Sequence, residues 1–542
     1  MRIVIIFSIV FTFIACQNTS NQTTSNPQPP NIILILADDM GYSDLGCYGS
    51  EINTPHLDRL ASEGVRFSQF YNNARCCPSR AALMTGLYPH QVGVGGMTDT
   101  DIPIPEYQGF ISENAVTIAD VLSNAGYSTY LSGKWHLGEE PENWPLRNGF
   151  DQCFAFINGA ASYFDFKPYW NETWPPGNEL TVVRNDQPVD LSDQNFYATD
   201  LYTDEAINFI NQHPQEKPFF LYLAYTAPHW PLHALPEDIR KYDGKYEAGW
   251  DQVRQQRYQN LQKMGLIGKQ TDLSEKFKPE NSWTDLSLEE RKNEALLMQV
   301  YAAMIDRVDQ NIGRLLNELE QNGILNNTVI MFLSDNGAVG SRNLALSKYA
   351  HPRWDPEAKP GTPESFTGMG KPWANVSNTP FREFKSSIYE GGIATPFIAW
   401  YPTKFPAGSI NHSVTHIVDV MPTITELAGT SYPQTFDNQP IKPKEGISLV
   451  QSMIDQQTIE NRKFFFEHLG NCGVIDVEWK LVRFRNQPWE LYHLQNDRSE
   501  TRNLAGANPG KLNELIQKYE RWAQDNNVLP REEVEAKIPY NF

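Results

Sequence analysis

Short runs of apolar, β-branched and aromatic residues recur along the chain, and more polar segments separate them. The runs are nearly continuously hydrophobic rather than alternating, which is typical of strands buried on both faces. Five of them are NIILILA (31–37), YSTYLS (127–132), FFLYLAY (219–225), TVIMFLS (328–334) and TPFIAW (395–400). Apolar residues at three- and four-residue spacing within 293–323 indicate a long amphipathic helix. This alternation favours an α/β fold in which helices sandwich a large, mostly parallel or mixed sheet.

The pattern changes after residue 429, where TSYPQTFDNQPIKPKEG is rich in proline and polar residues. Such a composition indicates a domain junction. We therefore expect a main catalytic domain over 31–435 and a smaller subdomain over 436–542. In the smaller part, FFFEH and WKLVRFR indicate strands, and LNELIQKYERWAQ indicates an amphipathic helix. We expect an α+β subdomain with a small antiparallel sheet and one packed helix.

The first thirty residues differ from the rest. In MRIVIIFSIVFTFIAC an arginine precedes an apolar run that is too short to span a bilayer but suits the core of a signal peptide. We predict a signal peptide over 1–16, whose end FIAC resembles a loose lipoprotein box with Cys16 as the lipidated residue; plain cleavage near Ala15 is the alternative. Residues 17–30 contain no bulky apolar side chain and are predicted to form a polar tether. We expect an exported bacterial protein, either periplasmic or a membrane-anchored lipoprotein held only through Cys16.

The net charge and the cysteine spacing argue against several classes of protein. The chain has 542 residues and a formal net charge of −20, which repels nucleic acid and anionic lipid. We therefore expect no nucleic-acid partner, and an anionic substrate has to be held by a few buried cations. Apart from Cys16, the cysteines lack the close, even spacing of a disulfide scaffold or a zinc site.

Side chains with catalytic or ligating chemistry follow four of the predicted strands. Open α/β sheets bind ligands beyond the carboxyl ends of their strands, so we expect these side chains at one edge. A lone aspartate or histidine there is usually a turn or capping residue, but repetition at four strand ends favours a site. The carboxylates and the amide oxygen suit calcium or magnesium, and the extracellular setting favours calcium. The residues are Asp38, Asp39, Lys134, His136, His229, Asp335 and Asn336.

The stretch NNARCCPSRAALMTG (72–86) places two adjacent cysteines before a predicted helix. Pro78 suits the first turn of a helix, and the alanines, leucine and methionine that follow continue it. Cys76 then lies at or just before the helix N-terminus, where free N–H groups favour an anion. Arg80, one turn later, can turn back toward it. The residues alone leave Cys76 as either a low-pKa thiolate nucleophile or a packing residue.

The segment CCPSRAALMTG resembles the C-x-P-S-R signature of the type I sulfatases, in the alkaline-phosphatase-like superfamily. The resemblance covers nearly the whole chain after the tether and is strongest to the bacterial arylsulfatase branch. It implies a sulfuric ester hydrolase that cleaves sulfate monoesters of carbohydrates or aryl alcohols. Other segments that carry it are NIILILADDMGYSDLGCYG, GKWHLG, YTAPHWPLHA, SDNGA and FKSSIYEGGIATPFIAWYP.

In that family a dedicated maturation enzyme oxidises the first cysteine of the signature to Cα-formylglycine. The resemblance therefore implies this change at Cys76, and a maturation enzyme as a partner. The hydrated aldehyde, a geminal diol, attacks sulfur, and elimination of sulfate restores the aldehyde, which divides one difficult step into two. The resemblance implies that Asp38, Asp39, Asp335 and Asn336 bind one Ca²⁺ together with the modified residue 76.

The resemblance also implies roles for the basic residues of these motifs. Arg80 would fix and activate the diol. Lys134 and Lys385 would bind the sulfate oxygens. His229, together with Lys385, would protonate the leaving alcohol, and His136 would act as the base in the elimination.

Three further positions resemble substrate contacts of the family. Ser162 is the candidate polar contact to sulfate, with a structural turn serine as the alternative. His90 and His468 lie in motifs that resemble pocket-lining segments, and both have a structural role as the alternative. Phe384 and Ser386 stand beside Lys385, where many members of the family that this chain resembles carry glycine.

Two other functions stay open at this point. One is a phosphomonoester or phosphonate-ester hydrolase, because relatives in the superfamily share the metal site. The other is a catalytically inactive protein that binds sulfated glycans, in which Cys76 would remain a thiol.

Overall fold

The computed structural model describes residues 29–98, 102–171, 180–191, 193–277 and 282–537. The predicted signal peptide, Cys16 and most of the predicted tether lie outside these residues. The strands are β1 (Asn31–Ala37), β2 (Val65–Phe67), β3 (Phe70–Tyr71), β4 (Ser128–Lys134), β5 (Gln152–Phe156), β6 (Val182–Arg184), β7 (Gln187–Pro188), β8 (Phe219–Ala224), β9 (Thr328–Ser334), β10 (Phe397–Trp400), β11 (Ser409–Asn411), β12 (Thr415–His416), β13 (Thr435–Phe436), β14 (Gln439–Pro440), β15 (Lys463–His468), β16 (Asn471–Asp476), β17 (Trp479–Arg483) and β18 (Glu490–His493). The helices are α1 (Pro55–Glu63), α2 (Cys76–Thr85), α3 (Ile118–Asn124), α4 (Ala198–Gln212), α5 (Pro236–Arg240), α6 (Trp250–Met264), α7 (Leu288–Gln321), α8 (Lys371–Ser377), α9 (Glu390–Ile393), α10 (Val420–Leu427), α11 (Val450–Asp455), α12 (Pro509–Asp525) and α13 (Arg531–Glu535).

The large sheet has ten strands in the order β11-β2-β10-β9-β1-β8-β4-β5-β6-β7. At its centre β1 pairs in parallel with both β8 and β9, whereas β10 runs antiparallel to β9. All five apolar runs identified in the sequence are strands of this sheet. The predicted mixed α/β fold is therefore confirmed, although a hydrophobic run does not reveal the reversed direction of β10.

Strand β1 shows why these runs are continuously hydrophobic. Its side chains alternate between two cores, since Ile33 and Ile35 pack with α7 on one face, and Ile32 and Leu34 pack with α2 and α10 on the other. Complete burial of each such side chain contributes about 1.5–3 kcal/mol. Truncation of Leu34 to alanine would cost about 2–5 kcal/mol, because the packed core on that face cannot close the cavity fully.

The C-terminal part contains a separate antiparallel sheet in the order β15-β16-β17-β18. Helix α12 covers it, because Leu515 and Trp522 pack against Val474 and Leu481 of the sheet. The predicted smaller α+β unit is thus confirmed. Its boundary after residue 435 stays a prediction: this position falls within β13, and α11 packs into the same core as α10.

Two observations bear on the membrane and on cysteine chemistry. Among the described helices, none combines the length and the apolar character needed to cross a membrane. The cysteines among the described residues are buried, and no disulfide joins any two of them; they are Cys47, Cys76, Cys77, Cys153 and Cys472.

Candidate active site

The carboxyl ends of β1 and β9 bring the predicted oxygen ligands together. Ala37 pairs with Ser334 in the parallel register, so the next residues of the two strands emerge side by side. The backbone N–H of Asp39 donates to Asp335 Oδ1 across 3.2 Å, and Asn336 Nδ2 donates to Asp39 Oδ1 across 2.6 Å. The predicted ligands from these two strand ends therefore form one fully buried cluster.

Helix α2 begins at Cys76, with Arg75 in extended conformation before it, as the position of the proline predicts. Its buried Arg80 faces the sheet, where Nε and Nη2 donate to Asp335 Oδ2 across 3.2 and 3.0 Å. Nη1 donates to the carbonyl oxygen of Lys134 across 3.1 Å. The helix start and its arginine therefore lie against the carboxylate cluster.

Two buried lysines neutralise this cluster. Lys134 Nζ lies 2.6 Å from Asp38 Oδ2, and Lys385 Nζ lies 2.5 Å from Asp39 Oδ1. Although burial opposes it, Lys134 holds the pKa of Asp38 well below its usual range. Burial and the charge of Asp38 together raise the pKa of Asp335. The carboxylates thus differ in protonation behaviour because their neighbouring charges differ.

Three oxygens of the cluster are buried and have no hydrogen-bond partner among the described residues. They are Asp38 Oδ1, Asp39 Oδ2 and Asn336 Oδ1. Buried polar atoms in proteins are nearly always paired, so such a group needs a physical explanation. Donor atoms of Asp38, Asp39, Cys76 and His229 all lie within 4.8 Å of one another. The arrangement fits a cation that prefers oxygen ligands.

Both predicted catalytic histidines lie at this site. His229 Nδ1 lies 2.6 Å from the carbonyl oxygen of Trp230, which fixes the proton on Nδ1, and Nε2 lies 3.4 Å from Asp39 Oδ2. Burial lowers the pKa of His229 to about 4, against the opposing charge of Asp39. His136 Nε2 lies 3.4 Å from Cys77 Sγ, while its Nδ1 has no hydrogen-bond partner among the described residues. Burial and the neighbouring cations lower the pKa of His136.

Glycine is required at two positions that set the place of Lys134 and His136. A Cβ on Gly133 would lie 1.9 Å from the carbonyl oxygen of Ala224 in β8, and the φ of Gly133 is +117°. A Cβ on Gly159 would lie 2.9 Å from Cε1 and Nε2 of His136. The imidazole of His136 is therefore packed directly against the backbone of Gly159.

A cavity of about 260 Å³ opens beside these groups. Its wall combines the predicted catalytic groups with aromatic and polar side chains, most of which lie outside the quoted motifs. Tyr169 is buried, and its hydroxyl has no hydrogen-bond partner among the described residues. The cavity is lined by Arg75, Cys76, Met97, His136, Glu139, Asn158, Gly159, Ala160, Tyr169, Trp170, Leu180, His229, Trp230 and Lys385.

Ser162, His90 and His468 do not line this cavity. Ser162 Oγ accepts the backbone N–H of Phe164 across 3.4 Å, and His90 Nε2 lies 2.8 Å from Glu467 Oε2. His468 is buried with no hydrogen-bond partner for its Nδ1 among the described residues. Their roles as substrate contacts stay predictions, and the observed contacts of Ser162 and His90 also fit the structural alternatives.

The chain is similar in sequence and in fold to known sulfatases. The family model described as Sulfatase matches residues 30–430, and the one described as N-sulphoglucosamine sulphohydrolase, C-terminal, matches residues 383–524. An arylsulfatase of Klebsiella aerogenes is 37% identical over 433 residues, which cover 78% of this chain and 91% of the relative. An uncharacterized sulfatase of Schizosaccharomyces pombe is 34% identical over 537 residues, covering 92% and 94%. The solved structure of Ps i-CgsB in complex with k-i-k-neocarrahexaose has a TM-score of 0.67 at 28% identity, covering 92% of this chain and 94% of that one.

Proposed function

The chain belongs to the sulfatase family and hydrolyses sulfate esters, and we propose that it does so through a formylglycine formed at Cys76 beside a bound calcium ion. The observation that carries this proposal is that three buried oxygens, on Asp38, Asp39 and Asn336, have no hydrogen-bond partner among the described residues. They lie at the strand ends that face the start of α2, where Cys76 is buried.

The donor set supports a hard divalent cation. We propose that Asp38, Asp39, Asp335 and Asn336 hold it together with the modified residue 76. Carboxylate and amide oxygens are the ligands that calcium prefers, and calcium tolerates an irregular set of them. When bound, the cation would supply positive charge at the reacting oxygens. The hydrated aldehyde would supply the attacking oxygen and a route by which sulfate leaves without water attacking sulfur.

The two buried lysines are proposed to bind the sulfate group. Lys385 lines the cavity, and Lys134 lies at the same carboxylate cluster through its contact with Asp38. At about 4 Å from a sulfate oxygen, each ammonium would contribute on the order of 4 kcal/mol before desolvation costs. Fixed positive charge of this kind stabilises the negative charge that grows on sulfate and bridging oxygens during the reaction.

His229 is proposed to protonate the leaving alcohol. Its Nδ1 proton is committed to the carbonyl oxygen of Trp230, so Nε2 is the atom that gains and donates the catalytic proton. Burial lowers the pKa of His229, and the charge of Asp39 offsets part of this shift. An anionic ester in the cavity would add a further negative charge near the ring and favour the protonated form.

His136 is proposed to accept the proton that drives release of sulfate. A base must be neutral before it acts, and burial together with nearby cations lowers the pKa of this imidazole. Its Nδ1 has no hydrogen-bond partner among the residues that the structure describes, and the residue lines the cavity. Arg80, held between Asp335 and the backbone of Lys134, would orient the modified side chain.

The substrate is proposed to be a sulfated carbohydrate. The aromatic residues Tyr169, Trp170 and Trp230 share the cavity wall with the polar Glu139 and Asn158, a mixture that suits an apolar ring face edged by hydroxyls. The neighbour Ps i-CgsB is described in complex with a neocarrahexaose, which supports the same class. Aryl sulfates are the second candidate, because the wall is aromatic and an arylsulfatase is among the relatives.

A substrate panel tests the proposal. Purified, modified enzyme is assayed for kcat/KM on sulfated mono- and oligosaccharides, on 4-nitrophenyl sulfate and on the matching phosphate and phosphonate esters, with Cys76→Ala as the blank. We expect turnover of at least one sulfated sugar above the phosphorus esters. Faster turnover of phosphate or phosphonate would instead support the hydrolase of phosphorus esters considered above.

Export and maturation are further proposals. We propose that segment 1–16 directs export, that Cys16 carries a lipid or is removed with the signal peptide, and that a formylglycine-generating enzyme acts on the chain. The support is the sequence pattern of 1–30 and the residue types around Cys76. Separation of cell extracts into membrane and periplasmic fractions, for Cys16→Ala against the native chain, tests the anchor.

A further inference from the structure

Ser386, the neighbour of Lys385, has a backbone conformation that serine rarely adopts. Its φ is 74°, in the left-handed region that favours glycine. A residue of this kind persists only where its surroundings hold it in place. We propose that Asn471, from the C-terminal sheet, holds Ser386 and is thereby a positioning residue for Lys385. The inference rests on the proposed role of Lys385 as a sulfate contact.

Ser386 makes three hydrogen bonds with groups outside its own loop. Its N–H donates to the carbonyl oxygen of Ala74 across 2.8 Å. Its Oγ accepts from Arg75 Nη1 across 2.8 Å, and its carbonyl oxygen accepts from Asn471 Nδ2 across 2.8 Å. We call this arrangement the Ser386 clamp. Two of its contacts come from the residues just before Cys76, and the third comes from the smaller subdomain.

Asn471 is itself fixed. It is only 5% exposed, and its Oδ1 accepts the backbone N–H of Arg485 across 3.1 Å. Because the carbonyl oxygen of the amide is used in this way, the NH₂ group faces Ser386. Asn471 begins β16, directly after a turn in which Leu469 and Gly470 both have positive φ. The tip of this hairpin therefore presents a rigid donor to the loop of Lys385.

The other side of Lys385 is anchored as well. Its backbone N–H donates to the carbonyl oxygen of Ala338 across 3.1 Å, on the loop that also carries Asp335 and Asn336. With one flank held there and the other at Ser386, the lysine ammonium reaches Asp39 Oδ1. Release of the Ser386 flank would let its φ return to negative values and would shift the Lys385 backbone.

Loss of the Asn471 contact of the Ser386 clamp should lower catalytic activity rather than prevent folding. A misplacement of about 1 Å by a change outside the chemistry can lower activity about 100-fold. The smaller subdomain has many other contacts with the large domain, such as Ser499 Oγ donating to the carbonyl oxygen of Asp272 across 2.6 Å. Those contacts keep the two parts together when Asn471 is truncated.

The first experiment compares Asn471→Ala, Lys385→Ala and the double variant, with Ser499→Ala as the control that removes a different contact between the domains. For Asn471→Ala we expect kcat/KM on a sulfate ester to fall roughly 10- to 100-fold. In the Lys385→Ala background the same change should cost less than about twofold, because Asn471 acts through that lysine. An equal loss in both backgrounds, or an equal loss in Ser499→Ala, would overturn the inference.

The second experiment tests the backbone conformation. In Ser386→Gly the left-handed φ costs nothing extra, so Asn471→Ala should lower kcat/KM by no more than about threefold in that background. A loss as large as in the native background would show that Asn471 does not act by holding Ser386. Thermal unfolding midpoints of all variants identify any that fail to fold.

The outcomes also separate this inference from the proposed function. If Lys385→Ala leaves kcat/KM unchanged, the proposed role of the lysine fails first. If Lys385→Ala lowers kcat/KM strongly while Asn471→Ala does not, the lysine role stands and the clamp is refuted.

Discussion

The side-chain amide of Asn336 donates a hydrogen bond to Asp39 Oδ1 across 2.6 Å, although 297 positions separate the two residues in the chain. Each of the two residues keeps one buried oxygen that has no hydrogen-bond partner among the described residues. A cation is the simplest group that would satisfy both oxygens together with Asp38 Oδ1, which also finds no hydrogen-bond partner in the described part of the chain.

Removal of the cation should therefore abolish activity. We expect chelation to lower kcat/KM by more than about 100-fold, since a metal ion supplies several kcal/mol of charge stabilisation. The midpoint of thermal unfolding should fall too, because the protein loses an ion that binds only the folded state. Calcium should restore both quantities in the native chain but not in Asp39→Ala. Full activity in a metal-free sample, checked by elemental analysis, would contradict the site.

The fall in kcat/KM when the proposed acid His229 is replaced should depend on the leaving group of the ester. With His229→Asn, an alcohol that leaves poorly has no proton donor at Nε2, so hydrolysis of a sugar sulfate should fall about 10²–10⁴-fold. Hydrolysis of 4-nitrophenyl sulfate should fall far less, since nitrophenolate leaves without a proton. The measurement is kcat/KM for both esters with both enzymes. An equal loss on the two substrates would assign His229 to binding instead.

The packing of His136 against Gly159 gives a test of the elimination step. In Gly159→Ala the new Cβ would lie 2.9 Å from the imidazole, so the ring must move. We expect kcat to fall about 10- to 100-fold, with a burst of alcohol equal to the enzyme concentration before the slow phase. The control is Gly506→Ala, where the added Cβ meets no atom within 4 Å. A loss of kcat without a burst would place the effect in the first step.

The sequence predicts much of this arrangement, because strands buried on both faces carry their own signal. The run 31–37 coincides with β1 and the run 328–334 with β9, and the rule that ligands lie beyond strand ends places Asp38 and Asp335 together. Pro78 predicts a helix with Cys76 at or just before its N-terminus, and α2 begins at Cys76.

Features that depend on contacts between distant loops were not predictable. Tyr169 lines the cavity from an irregular segment, where neither a period nor a motif indicates its position. Asn471 reaches Ser386 across 85 positions, and a hydrophobic pattern contains no information about such a hydrogen bond. Ser162 is a candidate only through its place in the segment that follows GKWHLG, and its hydroxyl accepts the backbone N–H of Phe164.

A buried acid outside the site predicts how stability depends on pH. Asp309 accepts the backbone N–H groups of His56 and Leu57 at the start of α1, and burial raises its pKa to about 7. Since the pKa is higher in the folded protein, this group lowers stability progressively as pH rises from about 4 through about 7.

Asp309→Asn removes that titration. Because the amide has only one acceptor oxygen, the variant loses one of the two N–H hydrogen bonds at every pH. Its stability relative to the native chain should nevertheless rise by roughly 1–3 kcal/mol between about pH 5 and about pH 8. Thermal unfolding midpoints of both proteins across this range measure the change. A stability difference that stays constant with pH would show that Asp309 keeps an ordinary pKa.

The most direct test of the central claim is the mass of the peptide that contains residue 76, taken from enzyme of known specific activity. We expect the mass of the aldehyde side chain in place of the thiol, in a fraction of molecules that rises in proportion to the rate of sulfate-ester hydrolysis. A sample that cleaves sulfate esters at full rate while Cys76 is entirely an unmodified thiol would contradict the mechanism.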